Sequence, residues 1–152
     1  MGRYLRAMPR IARSQLDDGY FHVTARGSTG TAIFVDDLDR LDFLDLLRTT
    51  ADLCGWRLHA HCLMGTHYHL LVESLRVSLS TGMQRLNGVY AMRFNRRHGR
   101  RGHLFGDRFS SYVLGDERHL AAAIEYVLQN PVRAGLCDQA RDWQWSGAAV
   151  LG

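Results

Sequence analysis

Apolar and polar residues alternate from Tyr20 to Arg26, with Phe21, Val23 and Ala25 on one face and Tyr20, His22, Thr24 and Arg26 on the other. A period of two predicts a half-buried strand. Asp17-Asp18-Gly19 before it reads as a turn, and Gly27 to Gly30 after it as a loop. Asp36 or Asp37 can cap a helix running to about Cys54. Its predicted apolar stripe is Leu41, Leu44, Leu47 and Ala51. Asp39, Asp42, Asp45 and Asp52 occupy its other faces, which predicts a helix turned away from any polyanion.

Two further alternating runs follow. Trp56, Leu58, Ala60, Cys62 and Met64 share one face, against Arg57, His59 and His61; then Tyr68, Leu70 and Val72 oppose His67, His69, Leu71 and Glu73. The runs predict a hairpin. A two-residue loop would pair Cys62 with His69 and mix the faces. A three-residue loop, Met64-Gly65-Thr66, pairs Leu63 with His67 and His61 with His69, and keeps apolar beside apolar. The predicted register is therefore the second, which gathers three histidines on one face.

Leu79, Met83, Leu86, Tyr90 and Phe94 mark a second long helix over about Leu79 to Arg97. A short strand is predicted near Arg108 to Leu114. A third helix is predicted from about Asp116 to Asn130, with Leu120, Ile124, Val127 and Leu128 as its stripe and Pro131 as its stop. The tail, Asp142 to Val150, reads as a short helix anchored by Trp143 and Trp145. The order strand, helix, two hairpin strands, helix, strand, helix predicts an α+β fold. Its mostly antiparallel sheet would carry packed helices in a ferredoxin-like sandwich.

At 152 residues the chain is one domain's worth, and its 46% apolar content argues against disorder. Residues 1–18 read as a basic N-terminal arm and 19–152 as a single domain. No apolar run approaches the ~20 residues of a membrane span, and the first residues lack the apolar core of a signal peptide. Cys54, Cys62 and Cys137 are odd in number and scattered, which excludes a disulfide framework and a zinc ribbon. A reducing, cytoplasmic location follows as the expectation. All 19 basic residues are arginine, against 15 acids. Guanidinium binds phosphate bidentately, although a GC-rich genome gives the same bias.

Three features could carry chemistry. His67 and His69, two apart on one strand, point to the same side and could share a metal ion. His59 and His61 have the same spacing, and the local pattern does not choose between the pairs. On the third helix Tyr126 lies off the apolar stripe, about 200° from Ile124, with His119 about 20° and Asn130 about 40° from it. A tyrosine there could be a nucleophile, with Asn130 as an oxygen donor to a metal; Tyr90 and Tyr112 are weaker candidates. Finally, Arg76 to Leu114 holds eight arginines and one acid, Asp107. Arg93, Arg96, Arg97, Arg100, Arg101 and Arg108 interleave with Phe94, His98, Phe105 and Phe109. Such a stretch suits single-stranded or hairpin nucleic acid.

Seven ordered blocks together resemble a known family. They are Tyr20–Gly27 (YFHVTARG), Gly55–Met64 (GWRLHAHCLM), His67–Glu73 (HYHLLVE) and Met83–Asn87 (MQRLN). Phe94–Arg100 (FNRRHGR), Gly102–Phe105 (GHLF) and Tyr126–Leu136 (YVLQNPVRAGL) complete them. The chain resembles the single-tyrosine HUH transposases, most closely the REP-associated tyrosine transposases, which are IS200-like, over about 18–150. Gly65 and Thr66 stand where the family usually has proline and asparagine. The loop Gly27-Ser28-Thr29-Gly30 and Ser110 also depart from its pattern.

The resemblance implies an HUH transposase-like domain whose HUH motif is His67-Tyr68-His69 and whose nucleophile is Tyr126. It implies a divalent metal, Mg2+ or Mn2+, on His67, His69 and Asn130. The implied activity is cleavage and rejoining of hairpin-bearing single-stranded DNA through a 5′-phosphotyrosine intermediate, as in DNA transposition and recombination. His119 is a candidate proton acceptor for the tyrosine. Monomer and homodimer both remain open, and no membrane partner is expected. Two rival readings remain: a domesticated, inactive hairpin-binding protein, and a metal-dependent phosphodiesterase that activates water.

Overall fold

The computed structural model describes residues 19–148, so the basic arm over 1–18 and the last four residues lie outside the described part. The first strand, β1, spans Gly19–Arg26, and α1 spans Asp37–Cys54. The hairpin strands are β2 (Arg57–Leu63) and β3 (His67–Ser74), followed by α2 (Arg76–His98). Then come β4 (Ser110–Leu114), α3 (Glu117–Leu128), a one-turn α4 (Asn130–Arg133) and β5 (Ser146–Ala148). The five strands form one sheet in the order β4-β1-β3-β2-β5, antiparallel at every junction. The first four are in ferredoxin-like order.

Both sheet faces are covered. Phe21, Val23, Tyr68, Leu70 and Val72 pack under α1 and α2 against Phe43, Leu47, Met83, Leu86 and Tyr90. The opposite face is smaller. There Ala60, Cys62 and Leu71 meet Leu120, Ala123 and Val127 of α3. The five-residue stripe of α2 is buried throughout. On α1 the buried stripe is Phe43, Leu46, Leu47, Thr50 and Ala51, and Leu41 is 52% exposed. The predicted stripe was thus rotated by part of a turn, because Phe43 rather than Leu41 reaches the aromatic cluster with Phe34, Tyr68 and Tyr90. Asp36 caps α1 by accepting from the Asp39 amide.

The hairpin register differs from the predicted one. Cys62 pairs with His69 and Leu63 with Tyr68, and the Met64 amide donates to the His67 carbonyl at 2.9 Å across a two-residue Gly65-Thr66 turn. The prediction assumed one apolar face. Here both faces are buried, so the rule that apolar must sit beside apolar no longer selects a register. A bulge between Leu58 and Ala60 also exchanges the faces of β2 midway. His61 pairs with Leu70 on the α1–α2 face, whereas His59 packs on the α3 face against Tyr20 and Glu73. His61 is therefore on the opposite face from His67 and His69, and the predicted grouping of His61 with them does not form.

Two more expectations are corrected near the C-terminus. Pro131 does not end the helical path; α3 stops at Leu128, and the chain continues through Gln129 into α4 with the proline in its first turn. That position has no intrahelical N–H to lose. The tail forms β5 on the edge of β2, not a helix. Trp143 donates its indole N–H to the Leu63 carbonyl at 3.0 Å, and the Trp145 carbonyl accepts from the Leu63 amide. These bonds hold the tail in extended form.

Candidate active site

Strands supply the histidines. On β3, His67 and His69 face α3, with ring centroids 5.2 Å apart. On β1, Thr24 stands opposite His69, which sets His22 on the diagonal of the same face. His22 Nε2 lies 3.0 Å from His69 Nδ1, and the rings are 5.2 Å apart. His67 Nδ1 lies 3.2 Å from Thr66 Oγ1. Both β3 histidines thus engage a protein neighbour through Nδ1. Burial holds His22 down to about 4. Burial, then the Arg26 charge, holds His67 down to about 4. His69 is pushed well below its ordinary value by burial first, then by His22, His67, Arg26 and Arg133. All three rings are neutral at pH 7, the form that donates a lone pair to a metal.

The helix supplies the tyrosine. Tyr126 is half-buried near the end of α3, its ring edge-on to His22 with centroids 6.1 Å apart. The turn through Pro131 brings Arg133 back over it. The guanidinium sits 4.0 Å from the ring centroid and donates to the Tyr126 carbonyl at 2.7 Å. Tyr112 of β4 also borders His22, at 6.5 Å. Tyr90 is buried in the other core, with its hydroxyl donating to the Ile33 carbonyl. His119 lies in the first turn of α3, beside Asp116 at 3.5 Å. Seven residues of helix put its Cα about 10 Å along the axis from that of Tyr126.

Two imidazoles and an amide oxygen are a donor set of the kind that binds a divalent ion. Among the described residues no three His, Cys, Asp or Glu side chains converge as a cage, so an ion here needs Asn130 or substrate oxygens as well. Asn130 Nδ2 is buried without a hydrogen-bond partner. The amide's nitrogen and oxygen exchange by a flip, and an oxygen in that place would be an acceptor awaiting a cation. The residues fit the group. Imidazole favours manganese over magnesium, which prefers oxygen ligands. The bulge on β2 removes the competing pair, because His59 and His61 lie on opposite faces.

The arginine stretch divides. Arg93 pairs with Asp42 at 2.8 Å, and Arg97 with Asp36 and the buried Asp39 at 2.5 and 2.6 Å. These two bind α2 to α1. Arg100 donates to the Asn95 side chain and the His103 carbonyl. Arg96, Arg101 and Arg108 are exposed. Arg108 borders two clefts. One, of about 650 Å³, lies between α2 and the loop carrying His103 and Phe105; the other, of about 250 Å³, adjoins Thr24 and Arg26. Arg26 pairs with His67 and Thr24 with His69, so two residues lining the smaller cleft are strand neighbours of the histidines. Gly27 at its edge has no room for a side chain, because a Cβ would strike the Thr31 carbonyl.

Sequence reasoning did not single out His22, Arg26 or Arg133. His22 and Arg26 lay on the polar face of the first strand, and only the pairing of β1 with β3 brings them to the His-x-His. Arg133 is seven residues from Tyr126, and only the continuation past Pro131 returns it.

The chain is similar to several transposases. A REP-associated tyrosine transposase of Haemophilus influenzae is 25% identical over 116 residues, covering 69% of this chain and 66% of that protein, just under two thirds. A solved REP-associated tyrosine transposase bound to a REP hairpin superposes with a TM-score of 0.72 at 15% identity, over 91% of this chain and 82% of that one. A transposase structure from Deinococcus radiodurans R1 gives 0.53 at 20% identity, over 80% and 97% of the two chains. These two structures share the fold. The family described as transposase IS200 like matches residues 15–130, a span holding the histidine strand, Tyr126 and Asn130, and the chain belongs to that family.

Proposed function

We propose that this protein is a metal-dependent transposase that cleaves and rejoins hairpin-bearing single-stranded DNA through Tyr126. The observation that carries the reading is the ring contact of Tyr126 with His22, which in turn touches His69 beside His67, in a chain of this family. The hairpin substrate is carried over from the structure bound to a REP hairpin.

The Tyr126 hydroxyl gives up its proton to solvent and its oxygen attacks phosphorus in line. The phosphorus–O3′ bond breaks, the 3′ oxygen takes up a proton, and a 5′-phosphotyrosine forms. That ester keeps the bond energy for rejoining when a 3′-hydroxyl attacks in reverse. His67, His69 and Asn130 would hold Mn2+ or Mg2+. Held there, such an ion would supply Lewis-acid stabilisation of the charge that develops on the phosphate. Arg133 fixes the ring of Tyr126 through its face and its carbonyl. Arg26 and Arg108 line the small cleft and offer guanidinium groups to the phosphates of a strand entering it.

An adduct assay tests this. End-labelled hairpin DNA from the sequence flanking the gene is mixed with protein and Mn2+ and run on a denaturing gel. A covalent band lost in Tyr126→Phe and in His67→Ala is the expected result. A band that survives in Tyr126→Phe moves the nucleophile to another tyrosine, with Tyr112 first. Tight hairpin binding without any band supports a domesticated binding protein. Multiple turnover without an adduct supports a water-activating phosphodiesterase.

A further inference from the structure

We propose that His22 is a positioning residue for the metal site, holding the His69 ring so that its Nε2 faces the ion. This rests on His67 and His69 being the ligands. A neutral imidazole has one proton. When His69 gives the Nε2 lone pair to an ion, the proton is on Nδ1 and needs an acceptor. The atom 3.0 Å away is His22 Nε2. It can accept when His22 carries its own proton on Nδ1.

Three observations favour this role over packing. His22 is 3% exposed, and its Nδ1 has no hydrogen-bond partner. An apolar side chain would fill the same space without leaving a buried nitrogen unpaired, so the contact to His69 is what a histidine adds there. Thr66 stands in the same relation to the other ligand, with Oγ1 3.2 Å from His67 Nδ1. The two rings are thus held by the same nitrogen, leaving Nε2 on each. Finally, His22 lies between the ligand and the nucleophile, with ring contacts to both His69 and Tyr126. One side chain therefore sets the spacing of tyrosine and metal ligand.

The test is Mn2+ titration calorimetry without DNA on wild type, His67→Ala, His22→Phe and His22→Gln. His67→Ala should abolish binding. His22→Phe should weaken it by about 10–100-fold, the usual cost of losing a partner behind a metal-bound histidine. His22→Gln, whose amide oxygen can accept from His69 Nδ1–H, should recover most of the affinity. Binding of metal-free hairpin DNA should be equal in wild type and His22→Phe, which a general loosening of the fold would not give. Wild-type Mn2+ affinity in His22→Phe overturns the proposal and leaves the ligands standing. Equal Mn2+ affinity in wild type and His67→Ala overturns the ligand assignment and the proposal with it. Should His22→Phe fail to fold, nitrogen-15 spectra of the Zn2+-loaded wild type decide. Coordination through His69 Nε2 with a proton on Nδ1 is expected, and coordination through Nδ1 overturns the proposal.

Discussion

Lowering the pH from 7 to 5 without metal should destabilise the fold, and His22 should account for a measurable part. Burial holds this ring down to about 4, against an ordinary value of 6.5. Between those values the unfolded chain carries a proton that the folded protein does not. Stability therefore rises with pH across this window and falls as the pH drops from 6.5 towards 4. At pH 5 the unfolded ring is almost fully protonated and the folded ring about one-tenth so, a difference of about 2 kcal/mol. Solvent does not discount it, because the side chain is 3% exposed. Against a total of about 5–15 kcal/mol for a domain, that is a substantial share. Urea unfolding at pH 7 and pH 5 in EDTA measures it. With a slope of about 2 kcal/mol/M, the midpoint of wild type should fall about 1 M further than that of His22→Phe. Equal falls in the two proteins would show that the ring is not held neutral, and the description of the site as a set of neutral imidazoles would go with it.

Two other predictions concern the charges. Asp39→Ala removes the acceptor shared by Arg97 and His98 and should cost about 2–3 kcal/mol in chemical denaturation, because the carboxylate is buried but Arg97 can turn to solvent. Arg108→Ala should reduce the slope of log affinity against log salt for hairpin DNA by about 1, and Arg97→Ala should leave it unchanged.

The parts of the fold legible in the sequence are those whose pattern has one interpretation. Leu79, Met83, Leu86, Tyr90 and Phe94 repeat at helical spacing with polar residues between them, and all five are buried. The faces of β1 and β3 were equally plain. The bulge on β2 was not. One extra residue reverses the alternation after Leu58, so a continuous period of two places His61 on the wrong side. The edge strand was hidden for another reason. Ser146-Gly147-Ala148 has little strand preference of its own and is extended because it pairs with β2. At the site, the helical angle that separated Tyr126 from the apolar stripe was legible from spacing. Its contact with His22 depends on which strands are neighbours, and that is a property of the sheet.

The same distinction governs the arginines. Six of them form one conspicuous run in the sequence, but folding gives them different partners. Asp36, which caps α1, and Asp39 and Asp42 of its acidic faces receive Arg93 and Arg97 and neutralise them. A phosphate competing for those two would have to displace a carboxylate already in place. The guanidinium groups whose charge is felt at His69 belong to Arg26 and Arg133, from the end of β1 and from α4. Sheet pairing brings the first beside His67, and the turn through Pro131 brings the second over Tyr126. Positive charge at the site is therefore assembled from segments more than a hundred residues apart. The density of the central run reports in part the joint between α1 and α2.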